Sequence, residues 1–171
     1  TKAELTFANA LRAILRQDPD IIMIGEIRDY ETASIAVQAS ITGHLVVSTV
    51  HTNSSAATVT RLIDMGVESF LLADSLVGVI AQRLVRRLCT SCRRERPATE
   101  QEKELLNAPP DQPLMIYVPT GCHLCGDTGY YGRIGIYEIM EITPALKRII
   151  ADKGTTEQIK EQAIRDGMHT L

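Results

Sequence analysis

The stretch DPDIIMIGEIRDYETASIAVQASITGHLVVSTVH, residues 18–51, decides the fold. Ile21-Ile22-Met23-Ile24 is a continuous apolar run between Asp20 and Gly25-Glu26, the pattern of a strand buried on both faces of a parallel sheet. Pro19 disfavours helical geometry at Asp18 and so ends whatever helix precedes it. Asp29 can cap a helix that reaches Thr42, with Gly43 as its left-handed stop. Leu45 to Val50 is a second run, β-branched and mostly apolar, and predicts a second buried strand.

Working outward, Leu5, Ala8, Leu11, Ile14 and Leu15 recur at helical spacing before Pro19. Ser54 opens a helix that ends at Met65-Gly66. Helix, strand, helix, strand, helix at these lengths reads as a piece of a doubly wound α/β sheet. Ser69 to Leu88 predicts one more long helix. The texture then changes: Cys89 to Tyr137 holds all four cysteines and five of the seven prolines. Within it, Thr99 and Glu102 form a capping box, and Leu105, Leu106 and Leu114-Met115-Ile116 are the evident apolar nucleus. Gly126, Gly129, Gly132 and Gly135 suggest tight turns and a hairpin. Thr143-Pro144 then starts a helix, and Thr155 or Thr156 caps another running towards Gly167. The expected domains are 1–88, 89–137 and 138–171.

Composition narrows the function classes. Of 171 residues, 44% are hydrophobic and 23% charged, ordinary for a soluble globular protein, and the length allows one domain or one domain with an appendage. Eighteen Lys+Arg against 21 Asp+Glu give −3, which excludes the overall basic field of a nucleic-acid binder. Thr32 to Thr60 is free of charged residues, but its Ser, Thr, Asn53, His44 and His51 exclude a membrane span. The chain opens Thr1-Lys2-Ala3-Glu4 with no signal-peptide pattern. Trp is absent and aromatics are 4%, so the core is built from Leu, Ile, Val and Ala. Arg83, Arg86, Arg87, Arg93, Arg94 and Arg96, opposed only by Glu95, make a window of +5 and leave −8 for the remainder. That window reads either as a solvated helix end or as a contact for phosphate or an acidic partner.

Cys89-Thr-Ser-Cys92 and Cys122-His-Leu-Cys125 are two C-x-x-C pairs 29 residues apart. A two-residue gap lets both sulfurs of a pair face one ion, and two pairs supply a closed tetrahedral shell suited to structural zinc. Gly126 suits the left-handed turn after the second pair. Nothing points to an oxidising compartment that would favour disulfides, and a redox dithiol needs only one such pair. His123 lies between two ligands and reads as a surface residue.

Glu26 ends the first strand, where open α/β sheets form their ligand crevice, with Arg28 beside it. The run resembles a Walker B strand with Gly25 at the usual Asp position, so that Glu26 would orient or deprotonate a hydrolytic water. The bland alternative pairs Glu26 with Arg28 or lets it cap the next helix. Thr49, His51 and Asn53 reach the same crevice if the two strands are neighbours. His44 lies at the opposite end of its strand, where local satisfaction is an equal alternative. No Gly-x-x-x-x-Gly-Lys-Ser/Thr occurs: Gly121 and Gly126 have the spacing, but Asp127 stands where Lys is needed. The chain alone is therefore expected to hold nucleotide poorly.

Residues 5–53, then RLIDMG, AQRLVRRLC, the two C-x-x-C pairs and GYYGRIGIYEIM together resemble the secretion ATPases of type II secretion and type IV pilus assembly. The resemblance implies the C-terminal portion of a RecA-like P-loop ATPase core, with an inserted tetracysteine zinc module and a C-terminal helical subdomain. It implies a homo-hexamer on the cytoplasmic side of the inner membrane. There it would work with membrane platform proteins and couple ATP hydrolysis to secretion or to pilus or pseudopilus assembly. It assigns Glu26 and Arg28 to catalysis, and His44, Thr49 and His51 to phosphate sensing. Zn2+ falls to Cys89, Cys92, Cys122 and Cys125, a module that the retraction ATPases lack. ATP and Mg2+ would belong to the full-length protein. Its Walker A loop, acidic box and arginines would lie upstream of Thr1, and the helical end would continue past Leu171. A zinc-stabilised protein-interaction module without catalysis is the alternative. A zinc-ribbon nucleic-acid binder is a distant third, because aromatics do not interleave with the arginines.

Overall fold

The structure is a computed structural model that describes residues 6–171, so Leu5 of the first apolar pattern lies outside the described residues. Thr6 caps α1 (Phe7–Ile14) by accepting the Asn9 N–H at 3.2 Å. A 3-10 turn over Leu15–Gln17 follows, and Asp18 turns left-handed before Pro19. The strands β1 (Ile21–Ile24) and β2 (Leu45–Ser48) pair in parallel, Ile21 opposite Leu45 through Ile24 opposite Ser48. Between them runs α2 (Tyr30–Ile41), capped by Asp29, which accepts the Thr32 N–H at 2.8 Å. That bond holds the Asp29 carboxyl below its usual range. Ala33, Ala36 and Ala39 let α2 be buried over much of its circumference.

Ser54 caps α3 (Ser55–Asp64), and α4 (Ser69–Ser75) follows. The long helix expected over Ser69 to Leu88 is not there. The chain becomes extended at Leu76 and runs as β3 (Gly78–Leu88). Val77, Val79 and Ile80 are β-branched and Gly78 is a poor helix former, while β6 (Tyr130–Glu141), far along the chain, supplies the pairing partner. Between them come β4 (Arg94–Pro97), α5 (Glu100–Leu105) and β5 (Met115–Val118). Two further helices, α6 (Pro144–Ala151) and α7 (Thr156–Arg165), start at Thr143 and Thr155. Among the described residues no helix is long and apolar enough to cross a membrane.

The chain divides into two compact units. One runs through Gln82 and resumes with Tyr137–Leu171. Its single core joins Ile24, Val59, Leu72, Met140, Leu146, Ile150 and Ile159, so the last helices pack into the same core as β1. Ile22 and Ile24 face that core, but Ile21 and Met23 are 63% and 77% exposed. The expectation of a strand buried on both faces is thereby corrected: among the described residues only one face of the β1–β2 pair is covered.

The other unit is Arg83–Ile136. There β4 and β5 pair antiparallel, Arg94 opposite Val118 and Pro97 opposite Met115. The expected apolar nucleus does not form, since Leu105 and Leu106 are 82% and 59% exposed. Cys89 and Cys125 are the only buried side chains in this unit. Nor are its arginines a solvated helix end. Arg86 lies over the Tyr130 ring and Arg93 over the Tyr117 ring, 4.2 and 4.3 Å from the centroids. Arg96 makes a two-pronged pair with Glu102 at 2.8 and 2.6 Å. Together with the Thr99 N–H, that pair holds the Glu102 carboxyl down at about 2.

This division predicts an asymmetric response to truncation. Leu146→Ala empties a fully buried site and should cost about 2–5 kcal/mol in chemical denaturation followed by circular dichroism. Leu105→Ala, on an exposed side chain, should stay within about 0.5 kcal/mol.

Candidate functional site

Parallel pairing sends both chains out of the sheet at the same edge. The Ile27 N–H donates to the Thr49 carbonyl at 2.9 Å, and the Thr49 hydroxyl donates to the Gly25 carbonyl at 2.6 Å. These two bonds carry the strand pairing into the loops and bring Glu26 and His51 together. Glu26 Oε2 lies 2.6 Å from Arg28 Nε and 3.3 Å from His51 Nε2. Neither N–H is aligned as a hydrogen-bond donor, and the oxygen is shut off from solvent with its acceptor capacity unused. Arg28 and His51 are themselves exposed, 72% and 85%. The arrangement is a carboxylate with one oxygen shielded between the Arg28 guanidinium and the His51 imidazole, while the side chain as a whole remains 33% exposed.

The structure thus gathers Glu26, Arg28, Thr49 and His51 and sets His44 apart. His44 precedes β2, and its Nδ1 lies 3.1 Å from the Ala39 carbonyl and 3.2 Å from the Thr42 hydroxyl. A carbonyl only accepts, so the Ala39 contact requires the proton on Nδ1. Both contacts belong to the turn that ends α2.

In the second unit the four cysteine sulfurs all lie within 4.8 Å of one another. Cys89 and Cys122 are 4.0 Å apart, Cys92 and Cys125 3.9 Å, and Cys122 and Cys125 3.7 Å. All four are free thiols, and together they form a cluster that could hold a metal ion. The backbone is shaped to it. The N–H groups of Cys122 and Gly129 both donate to Cys125 Sγ at 3.2 Å, and the Cys89 N–H donates to the Gly129 carbonyl at 2.9 Å. Gly129 has φ +75°, and a Cβ there would collide with Pro119. Burial pushes the Cys125 thiol up, but those N–H donors outweigh it and bring it down to about 6. The Cys125 N–H lowers Cys122, yet burial and the neighbouring thiol prevail and raise it to about 11. Cys89 is lowered, chiefly by the Ser91 N–H.

One further side chain escaped the sequence reading. Glu138 lies buried on β6, in the same alternation as Met140 and Ile142, and binds Ser55 at the start of α3. The signal was an acid at an inward strand position, legible only once residues 130–141 are known to be a strand.

The family model described as type II/IV secretion system protein matches residues 1–171, the whole sequence. The chain belongs to that family. Among curated relatives of the secretion-system family, the putative type II secretion system protein E of Escherichia coli K12 is 54% identical over 165 residues, 96% of this chain and 33% of the relative. The type IV pilus assembly ATPase PilB of Pseudomonas aeruginosa is 50% identical, over 98% of this chain and 30% of its own. The chain therefore spans about a third of the length of the curated relatives it matches. Among solved structures, the pilus retraction motor PilT with bound ADP superposes with a TM-score of 0.59 at 27% identity, over 99% of this chain and 43% of that one. The Legionella pneumophila ATPase DotB, at 23% identity and a TM-score of 0.58, shares the fold. The α/β architecture expected from the sequence is that of these secretion ATPases.

Proposed function

We propose that the full-length protein is a hexameric motor ATPase at the cytoplasmic side of the inner membrane. It couples ATP hydrolysis to type II secretion or to pilus or pseudopilus assembly, acting on membrane platform proteins of that machine. The observation that carries this reading is the Glu26 carboxylate at the end of β1, one oxygen shielded and without a directed donor. The relatives' printed functions, secretion and pilus assembly, support it.

In this reading ATP with Mg2+, bound mainly by the part of the protein beyond these residues, supplies the phosphoryl group and the charge neutralisation its transfer needs. Glu26 accepts a hydrogen bond from the attacking water and then its proton. Arg28 and His51 hold that carboxylate in place, and His51, exposed at the crevice, can turn towards a phosphate oxygen. Thr49 keeps the two strand ends together through the Gly25 carbonyl. His44 enters only through the family resemblance; its own contacts support a role in the turn after α2.

The four thiolates hold a structural Zn2+. Zn–S bonds of about 2.3 Å in a tetrahedron require sulfur separations of about 3.8 Å. The separations of 3.7, 3.9 and 4.0 Å support that assignment. A closed shell of four sulfurs leaves no place for a substrate water, so the ion's free energy goes into folding. The four-cysteine set also favours the secretion and assembly branch over the retraction motors.

Two measurements test these assignments. Glu26→Gln in the full-length protein keeps the shape but not the basicity, and steady-state turnover should fall by about 10²–10⁴-fold while ATP binding persists. Near-normal hydrolysis would return Glu26 to a purely structural pairing. Separately, Cys89→Ser or Cys122→Ser should release zinc, measured by emission spectroscopy, and open residues 83–136 to protease while the α/β unit stays resistant. A metal-free wild type would refute the zinc site.

A further inference from the structure

Glu138 is the only charged side chain buried among the described residues, and nothing in the proposed chemistry uses it. It shares the inward face of β6 with Met140, an alternation that buried Ile142 continues just past the strand end. An apolar residue there would fill the same space without desolvating a charge. Burial alone raises its pKa, but the hydrogen bonds from Ser55, then the Leu171 N–H and the charge of Lys160, outweigh it and hold the carboxyl below its ordinary value. The group is an anion in a core.

Its partners explain why. Oε1 accepts the Ser55 N–H at 2.7 Å and also the Ser55 hydroxyl, while Oε2 accepts the Leu171 N–H at 3.4 Å. Ser55 is the first residue of α3, ten residues long, so the carboxylate sits where the helix dipole favours an anion. The helix already has its own cap, because Ser54 accepts the Ala57 N–H at 3.2 Å. Thr52 Oγ1 lies 2.7 Å from Thr58 Oγ1 and donates to the Ser54 carbonyl at 3.3 Å, tying the turn before α3 to the helix. The next residue back is His51, beside Glu26. The segment from Thr49 to Ser55 is thus anchored at one end to the Gly25 carbonyl and at the other to Glu138.

We propose that Glu138 is a positioning residue for the strand-end site: by gripping the N–H and hydroxyl of Ser55 it fixes the start of α3, and with it the place of His51 against Glu26. Its effect on turnover rests on the ATPase reading; its effect on His51 does not. The test therefore has two arms. In the 171-residue chain, the ring resonances of His51 are compared between wild type, Glu138→Gln and Glu138→Ala, with His44 as internal control. Both variants should move or broaden the His51 signals and speed exchange of the Ser55 amide, leaving His44 unaltered. In the full-length protein, Glu138→Ala should lower kcat by about 10²-fold, the scale of a small misplacement at a reacting centre, with KM for ATP within about twofold. Glu138→Gln, which keeps one acceptor for the Ser55 N–H, should recover part of that loss. Should Glu138→Ala fail to fold, Glu138→Gln and Ser55→Ala decide on the same two readouts. Unchanged His51 resonances in a folded variant overturn the proposal, as does unchanged kcat in a protein whose wild type turns over ATP. Absence of wild-type turnover overturns the ATPase reading alone and leaves the His51 arm to decide.

Discussion

Parallel pairing of β1 with β2 is the constraint on which the rest depends. Had the two strands run antiparallel, Glu26 and His51 would leave the sheet at opposite edges. In parallel, with Ile24 opposite Ser48, both chains emerge at one edge and the next few residues converge. Register is equally restrictive, because side chains alternate between faces. A slip of one residue would turn Ile22 and Ile24 out of the core and rotate the strand end that carries Glu26. The crossover helix enforces the pairing, since its alanines allow close approach to the surrounding elements. Its cap at Asp29, three residues after Glu26, fixes where the helix begins.

The second unit follows a different physical rule. Its surface interactions, two arginine–tyrosine stacks and the Arg96–Glu102 pair, lie in or near solvent, where such contacts add little to stability. It buries no side chain except two cysteines, so burial of apolar surface cannot be what holds it. What remains is the sulfur cluster and the backbone donors arranged around it. A unit built this way can keep exposed residues such as Leu105, Leu106 and Leu124 without losing its core, because those residues were never part of one. The first unit is the reverse case, in which residues from β1 to α7 share a single apolar interior.

The sequence by itself determined the local grammar. Caps at Asp29, Ser54, Thr99, Thr143 and Thr155 are short-range hydrogen bonds between neighbours, and each stands where its residue type and spacing placed it. The two C-x-x-C pairs likewise declared a cluster, since a two-residue gap sets the reach of both sulfurs. Everything with a distant partner was decided by tertiary structure. Residues 78–88 carry apolar spacing compatible with a helix and became a strand because β6, more than forty residues away, offered its edge. Ile21 and Met23 were apolar enough to be buried, but burial depends on a covering layer that their own sequence does not encode. The sequence already set His51 and His44 at opposite ends of the second strand; the parallel register supplied what it left open, putting His51 beside Glu26 while His44 closes a turn. Glu138 shows the limit most clearly. Its neighbours reveal an acid among apolar residues, but the group that makes that acid stable in a core, Ser55, lies 83 positions away and is brought to it only by the fold.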